Sequence, residues 1–176
     1  MNPAIIPRYT IGQQLPRSLS VSRWQRARET FILSQTIAGS TPVELARPDT
    51  AIKYVQRSLA TVRHDGLYTL FLSTGFKLVD AHELVVGDKT HGALMLQDPE
   101  VATRIREIVK LSMSGFASSV LLVLHNASGV EENRKLAQRV FEQLAVPMQI
   151  LDIDLADQLW IEKEEARSWF SERTLS

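Results

Sequence analysis

The order of patterned segments predicts an α/β fold, a three-layer arrangement in which a mixed β-sheet carries helices on both faces. Three observations carry this expectation. The run SVLLVLH, residues 119 to 125, is continuously apolar and rich in branched aliphatic side chains, the pattern of a central strand covered on both faces. Ahead of it, LYTLFLS (67 to 73) and FKLVDAHELVV (76 to 86) meet at Thr74-Gly75 and read as a hairpin. Apolar residues at helical spacing flank both features, so helices rather than further strands are expected to cover the sheet.

Taken in order, Val21 to Ala38 can form a helix within an N-terminal arm. The polar, Gly/Pro-punctuated stretch AGSTPVELARPD (38 to 49) then marks a boundary, giving a basic arm over 1–47 and a domain over 48–176. Asp49 is placed to cap a helix reaching Leu59, with Ile52, Val55 and Leu59 on one face. After the hairpin and a polar loop, Asp98-Pro99 combines a cap with proline at the first helical position. Val101, Ile105, Ile108 and Leu111 follow at helical spacing until Gly115. Ser128 and Glu131 have capping-box spacing and open a helix whose Leu136, Val140 and Leu144 share a face. Pro147 is read as leading into a strand, MQILDIDL, where Leu151, Ile153 and Leu155 alternate with Asp152 and Asp154. The segment from Asp157 to Ser176, with Trp160, Trp169 and Phe170, is expected to end in a short helix packed by its aromatics.

Composition narrows the function classes. A chain of 176 residues, 44% hydrophobic and 23% charged, is that of an ordinary globular domain that needs no covalent staple. With no cysteine in the chain, disulfides, thiolate metal sites and a cysteine nucleophile are excluded, and a reducing cytoplasm suits it. The N-terminal stretch lacks an apolar core of signal-peptide length, and the run Val120 to Leu124 is too short to cross a bilayer, so a soluble cytoplasmic protein without membrane contact is expected. Net charge is zero but graded along the chain. Residues 1 to 47 carry Arg8, Arg17, Arg23, Arg26, Arg28 and Arg47 against Glu29 and Glu44, whereas residues 131 to 176 are acidic. Such an arm either makes weak, nonspecific nucleic-acid contacts or is a solvated segment pairing with the acidic C-terminal part.

In this layout a site belongs where the buried strand ends and the next helix begins, which is where His125 stands. The text there, His125-Asn126-Ala127-Ser128-Gly129, together with the hairpin ending in Gly87, the helix at Pro99 and ILDIDL, resembles the RadC-like branch of the JAB/MPN family. The resemblance covers approximately residues 48 to 160. It implies the JAB/MPN layering, which zinc deaminases share in general outline, and a family whose metal-binding members are zinc hydrolases of the isopeptidase type. Members read His-Asn-His-Pro-Ser-Gly, with an aspartate on the next helix and a glutamate near the first strand; two histidines and the aspartate hold zinc, and the glutamate moves the protons of its water.

Against that pattern only His125 matches a ligand. Ala127 replaces the second histidine, the proline is missing, and the aspartate's place falls near Asn133, whose neutral amide is a poor substitute. The glutamate's place falls at Asp65, while Glu83, on the second hairpin strand, reads as a surface group. His64, His82 and His91 could approach the same edge but lack metal-ligand spacing. Ser128 with His125 has no acid placed to orient the imidazole, and Ser128 is already explained as a helix cap. Phosphate-binding glycine loops and the deaminase motifs are absent. The expectation is a degenerate site with vestigial members His125, Ser128 and Asp65, no cofactor, and a noncatalytic role as a protein-interaction or DNA-repair-associated accessory module. The partner is an unknown protein, and a homodimer is compatible. The alternative is a zinc-dependent metallohydrolase of isopeptidase or protease type with altered ligands, in which His125 would be the residual ligand.

Overall fold

The protein is described from a computed structural model covering residues 25–32, 43–87 and 92–173. At its centre is a five-stranded sheet in the order β2-β1-β3-β4-β5. Strands β1 (Gly66–Leu72) and β2 (Leu78–Val86) form the expected antiparallel hairpin. Its turn is longer than the Thr74-Gly75 pair, since Leu72 pairs with Leu78 and Ser73 N–H donates to the Lys77 carbonyl at 2.9 Å. Strand β3 (Ser119–His125) is buried at every position and lies between β1, antiparallel, and β4 (Asp154–Glu162), parallel. The central position expected for SVLLVLH is thus observed, and β5 (Glu165–Ser168) closes the edge against β4.

Alternation along the central strands divides the core into two layers. Leu67 and Phe71 of β1, with Val120, Leu122 and Leu124 of β3, face α2 (Asp98–Ser114) and α3 (Glu131–Ile150). Tyr68, Leu70, Leu121 and Val123 face the other way, toward α1 (Pro48–Leu59) and residues 25–32. This is the mixed sheet with helices on both faces that the patterning predicts.

Several boundaries differ from the sequence reading, each for a local reason. Helix α1 begins at Pro48, which occupies the first helical position, so Asp49 lies inside the first turn and Arg47 is the N-cap residue. Helix α2 is capped one residue before Asp98: Gln97 and Glu100 form a reciprocal box, with Gln97 N–H donating to Glu100 Oε2 at 2.8 Å. Ser128 does not cap α3, which starts at Glu131 with Val130 as N-cap. Nor does Pro147 end that helix. The apolar stripe of Val140 and Leu144 continues to the fully buried Met148, so packing carries the helix through the proline to Ile150. Asp152, read as a strand residue, then takes a left-handed conformation (φ 56°), with Ile153 N–H donating to the Met148 carbonyl at 3.0 Å, a Schellman stop. Strand β4 therefore starts only at Asp154. The terminal helix appears as α4 (Trp169–Arg173), and Trp169 packs edge-on against Trp160 with ring centres 5.5 Å apart.

Of the arm, residues 25–27 are helical and Arg28–Ile32 continues as a π-helix; the rest of the helix expected over Val21 to Ala38 lies outside the described residues. Part of the arm belongs to the core. Ala27 and Phe31 are fully buried, Phe31 meets Tyr68 edge-on at 5.5 Å, and the Tyr54 hydroxyl donates to the Phe31 carbonyl. Leu45, in the boundary stretch, also lies in the core, its N–H donating to the Phe76 carbonyl at 2.8 Å.

Candidate functional site

The end of β3 and the start of β1 are neighbours because Gly66 pairs with His125. That register brings Asp65, immediately before β1, to the turn after β3. Asp65, His125 and Ser128, the expected site residues, all converge here. The side chain of Asp65 is 3% exposed and is held by its own chain: Ser128 N–H donates to Oδ1 at 3.0 Å, the Ser128 hydroxyl donates to Oδ2, and the Asn133 amide donates to Oδ2 at 3.0 Å. The Ser128 hydroxyl is therefore the partner of a carboxylate rather than a helix cap. Its oxygen accepts only a long bond from Val130 N–H, at 3.4 Å, and α3 opens after the left-handed Gly129, at Glu131.

Asn133, on the first turn of α3, is the organising residue. Its carbonyl oxygen accepts from Leu94 N–H at 2.7 Å. Its nitrogen shares its hydrogens among Asp65 Oδ2, the Gly92 carbonyl at 3.0 Å and Asn126 Oδ1 at 2.8 Å. The network extends through Asn126, whose amide donates to Glu162 Oε1 at 2.6 Å, and Glu162 receives Arg134 Nε at 2.6 Å. The Arg134 hydrogen bond holds the Glu162 carboxyl below the usual carboxylate range. Gly92 is required by close approach: it has φ 68°, and a Cβ there would lie 2.6 Å from Ser128 Cβ and 2.8 Å from Asp65 Oδ2.

His125 stands slightly apart. Its Nδ1 is 2.9 Å from the His64 carbonyl, an acceptor only, so Nδ1 carries the proton and Nε2 is left with its lone pair. Burial pushes its pKa below the ordinary histidine value. Neither His64 nor His82 joins it through a ring nitrogen: the His64 ring faces Tyr68 and Glu83, and His82 lies beside Glu107 at 3.4 Å. His91 lies outside the described residues. Glu83, expected at the surface, is 1% exposed, because residues 25–32 cover that end of the hairpin and Arg26 pairs with it.

The described residues do not fit a zinc ion. Among the described residues no group of three or more histidine, aspartate or glutamate side chains could hold a metal. Asn133 cannot turn toward one without abandoning its hydrogen bonds to Leu94, Asp65, Gly92 and Asn126. The sequence reading noticed Asn133 only as a substitution and missed Asn126, Glu162 and Arg134 as members of one network. No local signal marks them, since their pairings join distant segments.

Comparison with known proteins agrees with this layout. The family described as "RadC-like JAB domain" matches residues 45–175. A UPF0758 protein of Neisseria meningitidis serogroup C is 24% identical over 127 residues, covering 72% of this chain and 52% of that protein. A UPF0758 protein of Neisseria gonorrhoeae matches to the same extent, 24% over 127 residues. The chain thus spans about half the length of these curated relatives. No helix among the described residues is long and apolar enough to cross a membrane.

Proposed function

Because the chain belongs to the RadC-like JAB domain family over residues 45–175, we propose that it is a noncatalytic member of that family, acting as an interaction module for a protein partner. One observation carries this reading: the Asp65 carboxylate, at the position of the family's proton-moving glutamate, is occupied by Ser128 and Asn133 of its own chain. A general base must have a lone pair aimed at its water, and these donors engage three of the roughly four lone-pair sites of the carboxylate. The accessory role in DNA repair is a narrower form of the same proposal, and the cytoplasm, suited to a cysteine-free chain, is the proposed location.

The second reading is a zinc-dependent hydrolase with altered ligands. It draws on His125, whose Nδ1–H on the His64 carbonyl leaves Nε2 oriented as in metal-ligating histidines. Elemental analysis of protein purified without chelator separates the two. Well below stoichiometric zinc is expected, and Ala127→His alone restores no hydrolysis, because a site needs its whole supporting shell in place. Stoichiometric zinc that His125→Ala abolishes would overturn the noncatalytic reading.

A further inference from the structure

At the end of β3 opposite His125, the last turns of α2 and α3 come to the same edge of the fold. Both helices cover one face of the sheet, α2 leading into β3 and α3 into β4. Those strands start side by side: Ser119 pairs with Asp154, and Asp154 N–H donates to the Ser118 carbonyl at 2.9 Å. Met113 and Phe116, at and just past the end of α2, and Val146 and Ile150, at the end of α3, are all more than half exposed. Large apolar side chains exposed singly are ordinary, but four at one end of a fold mark an interaction surface. Phe116 is the unusual member. It stops α2 in a left-handed conformation, φ 52°, with Ala117 N–H donating to the Ser112 carbonyl at 3.0 Å, a position that favours glycine. Phe76 has a similar backbone, φ 54°, but packs against the core. Phe116 is 89% exposed, so no burial within its own chain offsets the cost.

The charges on either side of this apolar group are separated by sign. Arg106 and Lys110 are exposed on the α2 stripe that ends in Met113, whereas Asp152 and Asp154 are exposed where α3 passes into β4. None of these four side chains takes part in an ion pair among the described residues. A surface with cations on one side of an apolar centre and anions on the other is complementary to itself, because a two-fold rotation lays the cations of each copy on the anions of the other. A partner of one charge would be repelled by half of it. Aromatic and methionine side chains at the centre and charges at the rim are the usual anatomy of a contact between chains. We propose that this end of the fold is a two-fold homodimer interface, in which Phe116 of each copy packs on Val146 and Ile150 of the other and the α2 cations face the acids of the second copy. The surface lies away from the Asp65 network, and the proposal does not depend on the noncatalytic reading.

Sedimentation equilibrium of the intact chain across the micromolar range is expected to show monomer and dimer in exchange and nothing larger. Phe116→Gly removes the aromatic and relieves the left-handed backbone. It should weaken dimerisation about tenfold or more while the dilute, monomeric protein melts at the same temperature or higher. Lys110→Glu and Asp154→Lys should each weaken the dimer as well. Mixing these two variants in equal amounts should restore it, because in the mixed pair one contact is native and the other has its two charges exchanged. The proposal is overturned if the chain stays monomeric at every concentration, or if it grows beyond the dimer as a head-to-tail contact would. It is equally overturned if dimers persist unchanged in Phe116→Gly, or if mixing the charge variants restores nothing.

Discussion

Asp65 and Glu83 are both almost wholly buried carboxylates, Asp65 just before β1 and Glu83 on β2, yet the chain treats them differently. Asp65 receives donors on both oxygens from the α3 side, and its surroundings are closed by Gly92, where even a methyl group would collide. Glu83 receives one donor, from Arg26, and its second oxygen is enclosed by the protein without a hydrogen-bond partner among the described residues. A satisfied buried carboxylate acts as a structural tie between segments. One left half satisfied carries a desolvation cost that its single partner does not offset. The position that the family resemblance marks as chemical has become the structural tie, and the position read as surface is the one with bonding capacity left.

The largest expected effect comes from removing the wall that buries Glu83. Deleting residues 1–40 takes away Phe31 and Ala27, both fully buried, together with Arg26. Loss of a buried phenylalanine side chain alone costs about 3 to 5 kcal/mol, and leaving the buried Glu83 carboxylate without the half-exposed Arg26 adds to that loss. Truncated protein should therefore fail to fold cooperatively in urea denaturation followed by circular dichroism. A truncated chain that unfolds with the midpoint of the full chain would show that residues 25–32 are only draped over the sheet.

Next comes the tie itself. Asn133→Asp replaces the donor facing Asp65 Oδ2 at 3.0 Å with a second carboxylate in a closed site. Both the lost donor and the like charge destabilise, by about 3 to 5 kcal/mol at neutral pH. Protonation relieves the repulsion, so the loss should shrink as pH falls toward 4. Restoration of the family's aspartate without destabilisation, accompanied by zinc uptake, would mean that the tie is a latent metal site.

A smaller effect is expected at His125. Deleting its hydrogen bond to the His64 carbonyl by His125→Ala costs about 1 to 3 kcal/mol. Burial holds its pKa below the ordinary value of 6.5, so the unfolded chain takes up a proton more readily than the folded one. Its contribution is full above the unfolded pKa and is lost as pH falls below about 6.5. The wild-type stability should decline between about pH 7 and pH 5, and His125→Ala should flatten part of that decline. Equal pH profiles for the two proteins would remove the buried, neutral imidazole from the account.

Legibility followed the range of the interactions. The central strand was plain because seven consecutive positions from Ser119 to His125 are buried and apolar pattern alone reports that. Strand β5, EARS, was not, because a short edge strand exposes half its residues and needs no hydrophobic code. The end of α3 was misplaced because Pro147 is a breaker in local terms, whereas the burial of Met148 is a tertiary fact. At the site, His125, Ser128 and Asp65 could be named from the resemblance. The tie among them could not, since Ser128 lies 63 and Asn133 lies 68 residues from Asp65 along the chain. Glu83 was misjudged for the same reason: its burial depends on a segment more than fifty residues away, Arg26 being 57 positions distant.

The smallest expected effect concerns nucleic acid and sharpens the part that Arg26 plays. Six arginines precede Pro48, but Arg26 is committed to Glu83 and Arg47 stands 3.4 Å from Asp49. Arg8, Arg17 and Arg23, outside the described residues, are the remaining source of an electrostatic contact, with Arg28 beside Glu29. Neutralising three phosphates gives a slope of log affinity on log salt of about −3, and sequence-independent binding of this kind is micromolar or weaker at physiological salt. Fluorescence anisotropy with two labelled duplexes of unrelated sequence should therefore show weak binding, equal for both and gone as salt rises. Arg8→Ala, Arg17→Ala and Arg23→Ala together should remove most of it while leaving urea stability unchanged, whereas Arg26→Ala should lower stability through Glu83. Tight, sequence-selective binding that persists at high salt would instead make the N-terminal region a reader of nucleic acid, and would move Arg26 from the Glu83 pair into that role.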